Sequence, residues 1–258
     1  MLASAFVYSA LVAACVGLAA VIRPIPRVGL KSRARGLATV AGALAAAVGG
    51  LLLPACESHT VRATTRLDEF APAWQFNEVH TIRIAAPAER VFEAITQVRA
   101  DEIFLFHTLT WIRRGGRQLR PSVLNAGSQT PLLDVAIKGG FIRLAHDPPR
   151  EVVLGMVVHA PAGYRPENLR PDFFKGPVPP GFALGTFNFV VTPDGPNASI
   201  VSTETRVSAS SPAARRRFAA YWRAIYPGSA LIRRMWLRAI ERRTLRQSPG
   251  AVPSPTRS

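Results

Sequence analysis

Beyond position 56 the chain has no cysteine, and its only two, Cys15 and Cys56, lie within or at the end of an apolar run. The large C-terminal part therefore holds no disulfide, no cysteine nucleophile and no thiolate metal site. Charge is missing from two long stretches, Leu2–Ile22 and Gly36–Ala55. At about 1.5 Å per residue, each is long enough as a helix to cross a hydrocarbon layer of roughly 30 Å. Lysine is confined to positions 31, 138 and 175, so almost every base is arginine. With the abundant Ala and Pro, that usage reads as a GC-biased genome, and only the clustering of the arginines carries meaning. No Gly-rich phosphate loop and no Gly-x-Ser-x-Gly string occurs, and His59, His107, His146 and His159 lack metal-ligand spacing. Neither a metal nor a cofactor is expected.

The basic residues that are present are unevenly placed. Arg23, Arg27, Lys31, Arg33 and Arg35 fill the loop between the two apolar runs with no acid among them. By the positive-inside rule this loop is cytoplasmic, which puts the N-terminus and the rest of the chain on the other side of a cell membrane. No basic segment precedes the first run, so it reads as an uncleaved span rather than a signal peptide. Gly36, Gly42, Ala46, Gly49 and Gly50 make the second run rich in small residues, which favours close packing of the two spans as a hairpin. Residues 212–246 hold ten arginines against one acid, Glu241. That segment is either a solvated arginine face or a surface for anionic lipid headgroups. Nucleic acid is a third reading, which requires the domain to be cytoplasmic instead.

Past a polar linker at 57–73, Phe76–Ala85 has strand character and Pro87 opens a helix with Val91, Ala94, Ile95 and Val98 on one face. Asp101–Ile112 reads as a second short helix. Leu132–Ile137, Phe141–Ala145 and Glu151–His159 read as short strands, and 161–181 as a Pro-rich excursion. Ala183–Thr192 and Ala198–Ala209 form a hairpin across Pro193-Asp194-Gly195-Pro196-Asn197. From Pro212 to Arg246, an apolar stripe of Phe218, Trp222, Ile225, Ile232, Met235, Trp236, Ala239 and Ile240 marks a long helix. Pro227-Gly228 predicts a break into two pieces at an angle. The stretch 247–258 is Pro/Ser-rich and reads as a disordered tail.

The string Ile84-Ala85-Ala86-Pro87-Ala88-Glu89-Arg90-Val91-Phe92-Glu93-Ala94-Ile95, with this order of elements, resembles the START-like or SRPBCC superfamily of polyketide cyclases, dehydrases and lipid-transport proteins over about 74–246. The resemblance implies an α+β helix-grip fold: a curved antiparallel sheet around a long, kinked C-terminal helix, here behind a transmembrane helical hairpin. It implies an apolar cavity under that helix and binding of a hydrophobic small molecule or lipid. It does not imply an enzyme, because many members only bind.

Strand alternation puts Glu78 and His80 on one face with Ile82 and Ile84. If that face lines the cavity, they are its polar groups, and a carboxylate beside an imidazole can orient a general base. The other reading is a solvated or edge pair. Ser202, Glu204 and Arg206 share a face of their strand; an Arg–Glu pair there either holds an anionic head or is ordinary cross-strand pairing. Asn188, between Phe187 and Phe189, can orient a ligand or simply be hydrogen-bonded, and Trp222 is a candidate wall of the cavity. The expectation is thus a membrane-tethered binding protein, with a cyclase-type enzyme or a scaffold with a filled core as the alternatives.

Overall fold

The structure is a computed structural model that describes residues 2–117, 122–164 and 169–247. The chain forms two compact units, one drawing on Met1–Cys56 with Arg215–Tyr226, the other on Glu57–Ala214 with Pro227–Ser258.

In the first unit, helix α1 (Leu2–Ile22) and helix α2 (Arg33–Leu52) are each long and apolar enough to cross a membrane. Ser32 caps α2, its side chain accepting from the Arg35 amide. In α2 the buried residues are Gly36, Ala43, Ala47 and Gly50, a single stripe at helical spacing. A Cβ on Gly36 would stand 2.9 Å from the Gly17 carbonyl oxygen, and one on Gly50 would stand 2.8 Å from Val7 Cγ2. The small residues therefore set the separation of the two helices. Gly42 and Gly49 have open space instead, so only part of the small-residue run makes the contact. The segment Arg215–Tyr226 joins this unit through Arg223 Nη1, which donates to the Leu51 carbonyl at 2.7 Å, and through Tyr8 Oη, which donates to the Ala224 carbonyl. A cation on a last-turn carbonyl suits the negative end of a helix.

The second unit holds a five-stranded antiparallel sheet in the order β3 (Phe76–Ile84), β7 (Ser199–Ala209), β6 (Ala183–Pro193), β5 (Glu151–His159), β4 (Ile142–Asp147). One face carries Ile84, Val152, Leu154, Phe187, Phe189, Val191 and Val201. It packs against α4 (Ala88–Gln97), α6 (Leu132–Lys138) and the later part of α7 (Pro212–Arg246). Trp236, Leu237, Ala239 and Ile240 are the α7 residues in this core. The fold is α+β, with an antiparallel sheet packed against a long C-terminal helix, the helix-grip arrangement that the resemblance implies.

The opposite face is covered by β1 (Ser58–His59), α3 (Leu67–Phe70) and β2 (Ala73–Trp74), with Phe174 from the Pro-rich excursion. Gly155 makes room there, since a Cβ would lie 2.7 Å from Leu144 Cδ1 and 2.8 Å from Phe174 Cε1.

Four expectations need correction. The stretch 57–73 is not a linker: Leu67 and Phe70 are buried and β1 pairs with β2. Leu132–Ile137 is helical, because Leu132, Leu133 and Ala136 put one face into the core behind Pro131, and a short apolar run does not distinguish strand from helix. The single helix expected over Asp101–Ile112 is split by Leu105, which has a positive φ of 57°, and α5 (Phe106–Arg113) begins after it. Finally, α7 runs unbroken through Pro227. One missing N–H removes a single rung, and long runs of good helix formers on both sides carry the helix past it. The tail beyond 247 lies outside the described residues.

Candidate functional site

Glu78 and His80 lie on the helix-facing side of β3. Glu78 is 1% exposed, and its Oε1 is 2.6 Å from His80 Nε2. Its second oxygen accepts from Ser229 Oγ of α7 at 3.0 Å. Sheet register sets the neighbours: Glu78 pairs with Thr205, which pairs with Phe187, which pairs with Leu154. One rung along, His80 pairs with Thr203 and Thr203 with Phe189. A carboxylate and an imidazole thus sit at the margin of an aromatic layer in which Phe187, Phe189 and Trp236 meet with ring centroids 5.0 to 6.3 Å apart. Across the strand alternation, a polar pair and an apolar floor share one face.

Arg233 enters the same layer from α7, one turn after Ser229. Its guanidinium carbon stands 4.5 Å from the Phe187 ring centroid and 5.3 Å from that of Trp236. Burial pulls its pKa down to about 10; the negative charge of Glu78 opposes the shift and the positive charge of Arg113 adds to it. Arg233 therefore remains a cation at neutral pH. Sequence reasoning missed it, because it sits beside Arg234 in an arginine-rich helix. The spacing Ser229, Arg233, Trp236, Ile240 was the available signal, placing one arginine within the apolar stripe.

Asn188, Glu204 and Arg206 project from the other face and do not meet Glu78. Asn188 donates to Glu151 Oε1 at 2.7 Å, and the buried Glu151 also accepts the Arg66 and Leu67 amides at the start of α3. Arg206 Nη1 donates to Asp68 Oδ1 at 2.7 Å and to the Ala71 carbonyl, while its Nε and Nη2 donate to Glu204. The guanidinium lies 4.0 Å from the Trp74 ring centroid. All three nitrogens of Arg206 are engaged within the protein, which makes this cluster a fastening for the α3 segment. Asp68 was absent from the sequence reasoning because 57–73 looked like linker. Burial alone would raise its pKa, but the amides of Thr64 and Thr65 and the Arg206 guanidinium together hold it well below the usual carboxylate range.

Trp222 is buried in the first unit, where its ring centroid lies 5.9 Å from Phe218 and 6.1 Å from Tyr226. Phe218 and Trp222 therefore belong to a different unit from Glu78 and His80. Of the α7 arginines, Arg242, Arg243 and Arg246 bond the carbonyl and carboxylate of Glu102, whereas Arg216, Arg217 and Arg234 are exposed. No group of His, Cys, Asp and Glu able to hold a metal occurs among the described residues.

No protein-family model matches the chain, and no curated protein matches it. Among solved structures, it is similar to a Mesorhizobium loti protein at 16% identity, over 67% of this chain and 98% of that one, with a TM-score of 0.30. A hypothetical protein of Helicobacter pylori matches at 8% identity over 72% and 99% of the two chains, with a TM-score of 0.35. The Zhui aromatase/cyclase of a Streptomyces species matches at 14% identity over 69% and 99%, with a TM-score of 0.25. Likeness at this level carries no argument about activity.

Proposed function

We propose that this chain is a membrane-anchored binding protein for a hydrophobic small molecule or lipid, held between the helix-facing side of the sheet and the later part of α7. The observation that carries the reading is the Glu78–His80–Ser229 cluster, polar groups converging from sheet and helix beside an otherwise aromatic and aliphatic layer. Desolvating the Glu78 carboxylate costs free energy that an apolar side chain at the same place would not. The resemblance of residues 84–95 to the START-like junction supports the same assignment. The anchor rests on α1 and α2, and the basic loop between them supports a domain outside the cytoplasm. Exposed Arg216 and Arg217 fit anionic headgroups as a secondary partner.

Mass spectrometry of lipids and small molecules co-purified with the full-length chain, extracted with its native bilayer, tests the proposal. A discrete apolar species retained by the wild type and reduced in Glu78→Gln is the expected result. Recovery of bulk bilayer lipid only, identical in both proteins, would overturn it.

The 2.6 Å contact favours one further reading, a cyclase or dehydrase. With Nε2 held by Glu78, His80 Nδ1 is the nitrogen left to take a proton. Incubation of the recovered species with the protein separates the readings: an unchanged mass fits binding alone, and loss of one water fits the enzyme.

A further inference from the structure

Two buried donors in this layer have no acceptor. Arg233 Nη1 and Trp236 Nε1 are both sealed from solvent and make no hydrogen bond among the described residues. They belong to residues three apart on one stripe of α7, and both flank the Phe187 ring. Native proteins rarely leave such groups alone, because a buried donor without an acceptor has lost its bond to water and gained none in return. Glu78, whose negative charge acts on Arg233, already has its oxygens committed to His80 and Ser229. What the layer lacks is an accepting, negatively charged oxygen.

We propose that the ligand carries an anionic oxygen head, a carboxylate, on an apolar body. Arg233 and Trp236 receive the head, and Phe187 with the aliphatic side chains around it takes the body. Guanidinium and indole donors suit a carboxylate, which accepts on both oxygens. This rests on the reading that the layer binds an apolar ligand, and narrows its class to acids.

The test uses the full chain in native membranes with two photoreactive probes, a diazirine-bearing palmitic acid and the corresponding alcohol. Cross-linked peptides are mapped by mass spectrometry. The acid is expected to label the segments around Phe187 and Arg233 about tenfold more than the alcohol, the scale of one charge-assisted hydrogen bond. Arg233→Met should bring the acid down to the level of the alcohol, so that the selectivity between the two probes is lost. Trp236→Phe, which keeps a ring and removes the donor, should lower the acid selectively and by less. Equal labelling by acid and alcohol in the wild type overturns the anionic head while leaving apolar binding intact. A fall in both probes with Arg233→Met, in a protein whose circular dichroism is unchanged, also overturns it. Labelling of those segments by neither probe overturns the binding reading itself.

Discussion

The Asp68–Arg206 fastening can be broken without touching the helix-facing layer. Asp68 accepts from the amides of Thr64 and Thr65, from the hydroxyls of Thr60 and Thr65, and from Arg206 Nη1. Removing one partner of a buried ion pair costs about 3–5 kcal/mol when the other charge is stranded. Here Arg206 is not stranded, because Glu204 holds its Nε and Nη2. Asp68→Asn, which also keeps one accepting oxygen, should therefore cost about 2–3 kcal/mol, and Asp68→Ala, which leaves the Thr64 and Thr65 amides without their acceptor as well, about 3–5 kcal/mol. With an m-value of about 2 kcal/mol per molar in urea, the Asn variant should unfold about 1–1.5 M earlier. Near-UV circular dichroism of the full-length chain in neutral nanodiscs reads the transition. The pH dependence adds a second check. A carboxyl whose folded pKa lies below its unfolded value of about 3.9 stabilises fully above that value, and the contribution is lost as pH falls below it. Acid destabilisation below about pH 4 should accordingly be shallower in Asp68→Asn. A midpoint shift under about 0.3 M would refute the reasoning and mean that the α3 segment adds little to the fold.

Three further substitutions follow from backbone and packing. Leu105 is 40% exposed and held at a positive φ, so Leu105→Gly should raise the urea midpoint by about 0.5–1 kcal/mol equivalent, while Leu105→Ala, with its Cβ, should not. Gly155→Val drives a side chain into Leu144 and the buried Phe174, and should destabilise by about 1–3 kcal/mol in the same assay. Gly36→Leu meets the Gly17 carbonyl and should lower the melting temperature of the first unit in detergent, whereas Gly42→Leu, with open space around its Cβ, should be near neutral.

The elements most legible from sequence are those whose patterning has one reading. The hairpin of β6 and β7 stands almost where alternation and the Pro-Asp-Gly-Pro-Asn turn put it, Ala183–Pro193 and Ser199–Ala209 against 183–192 and 198–209. Strand β3 and helix α4 are equally direct, since alternation ends at Ile84 and Pro87 fixes the helix start. Where local signals conflict with tertiary contacts, sequence reasoning fails in an understandable way. Leu132–Lys138 has the composition of a strand and the burial of a helix. Residues 57–73 look polar because their buried carboxylate, Asp68, is paired with Arg206, 138 positions away.

The candidate site was half legible for the same reason. Alternation alone puts Glu78 and His80 on the face with Ile82 and Ile84, and the structure shows that face turned towards α7. By the identical rule, Glu204 and Arg206 fall on the other face. Sequence offered no way to see that these two had to be separated from Glu78, because the relative phase of neighbouring strands is set by register. Register pairs Glu78 with Thr205, between Glu204 and Arg206, which sends both of their side chains to the far side. The phase of α7 was hidden more deeply. Among ten arginines, only a stripe that runs Ser229, Arg233, Trp236, Ile240 singles one out, and that stripe differs by a single residue from the wholly apolar one through Ile232 and Met235. A rotation of about 100° per residue decides whether Arg233 lies in water or against Phe187. The core decides it: Trp236, Leu237, Ala239 and Ile240 bury one side of the helix against the sheet, and Ser229 bonds Glu78 in the same orientation.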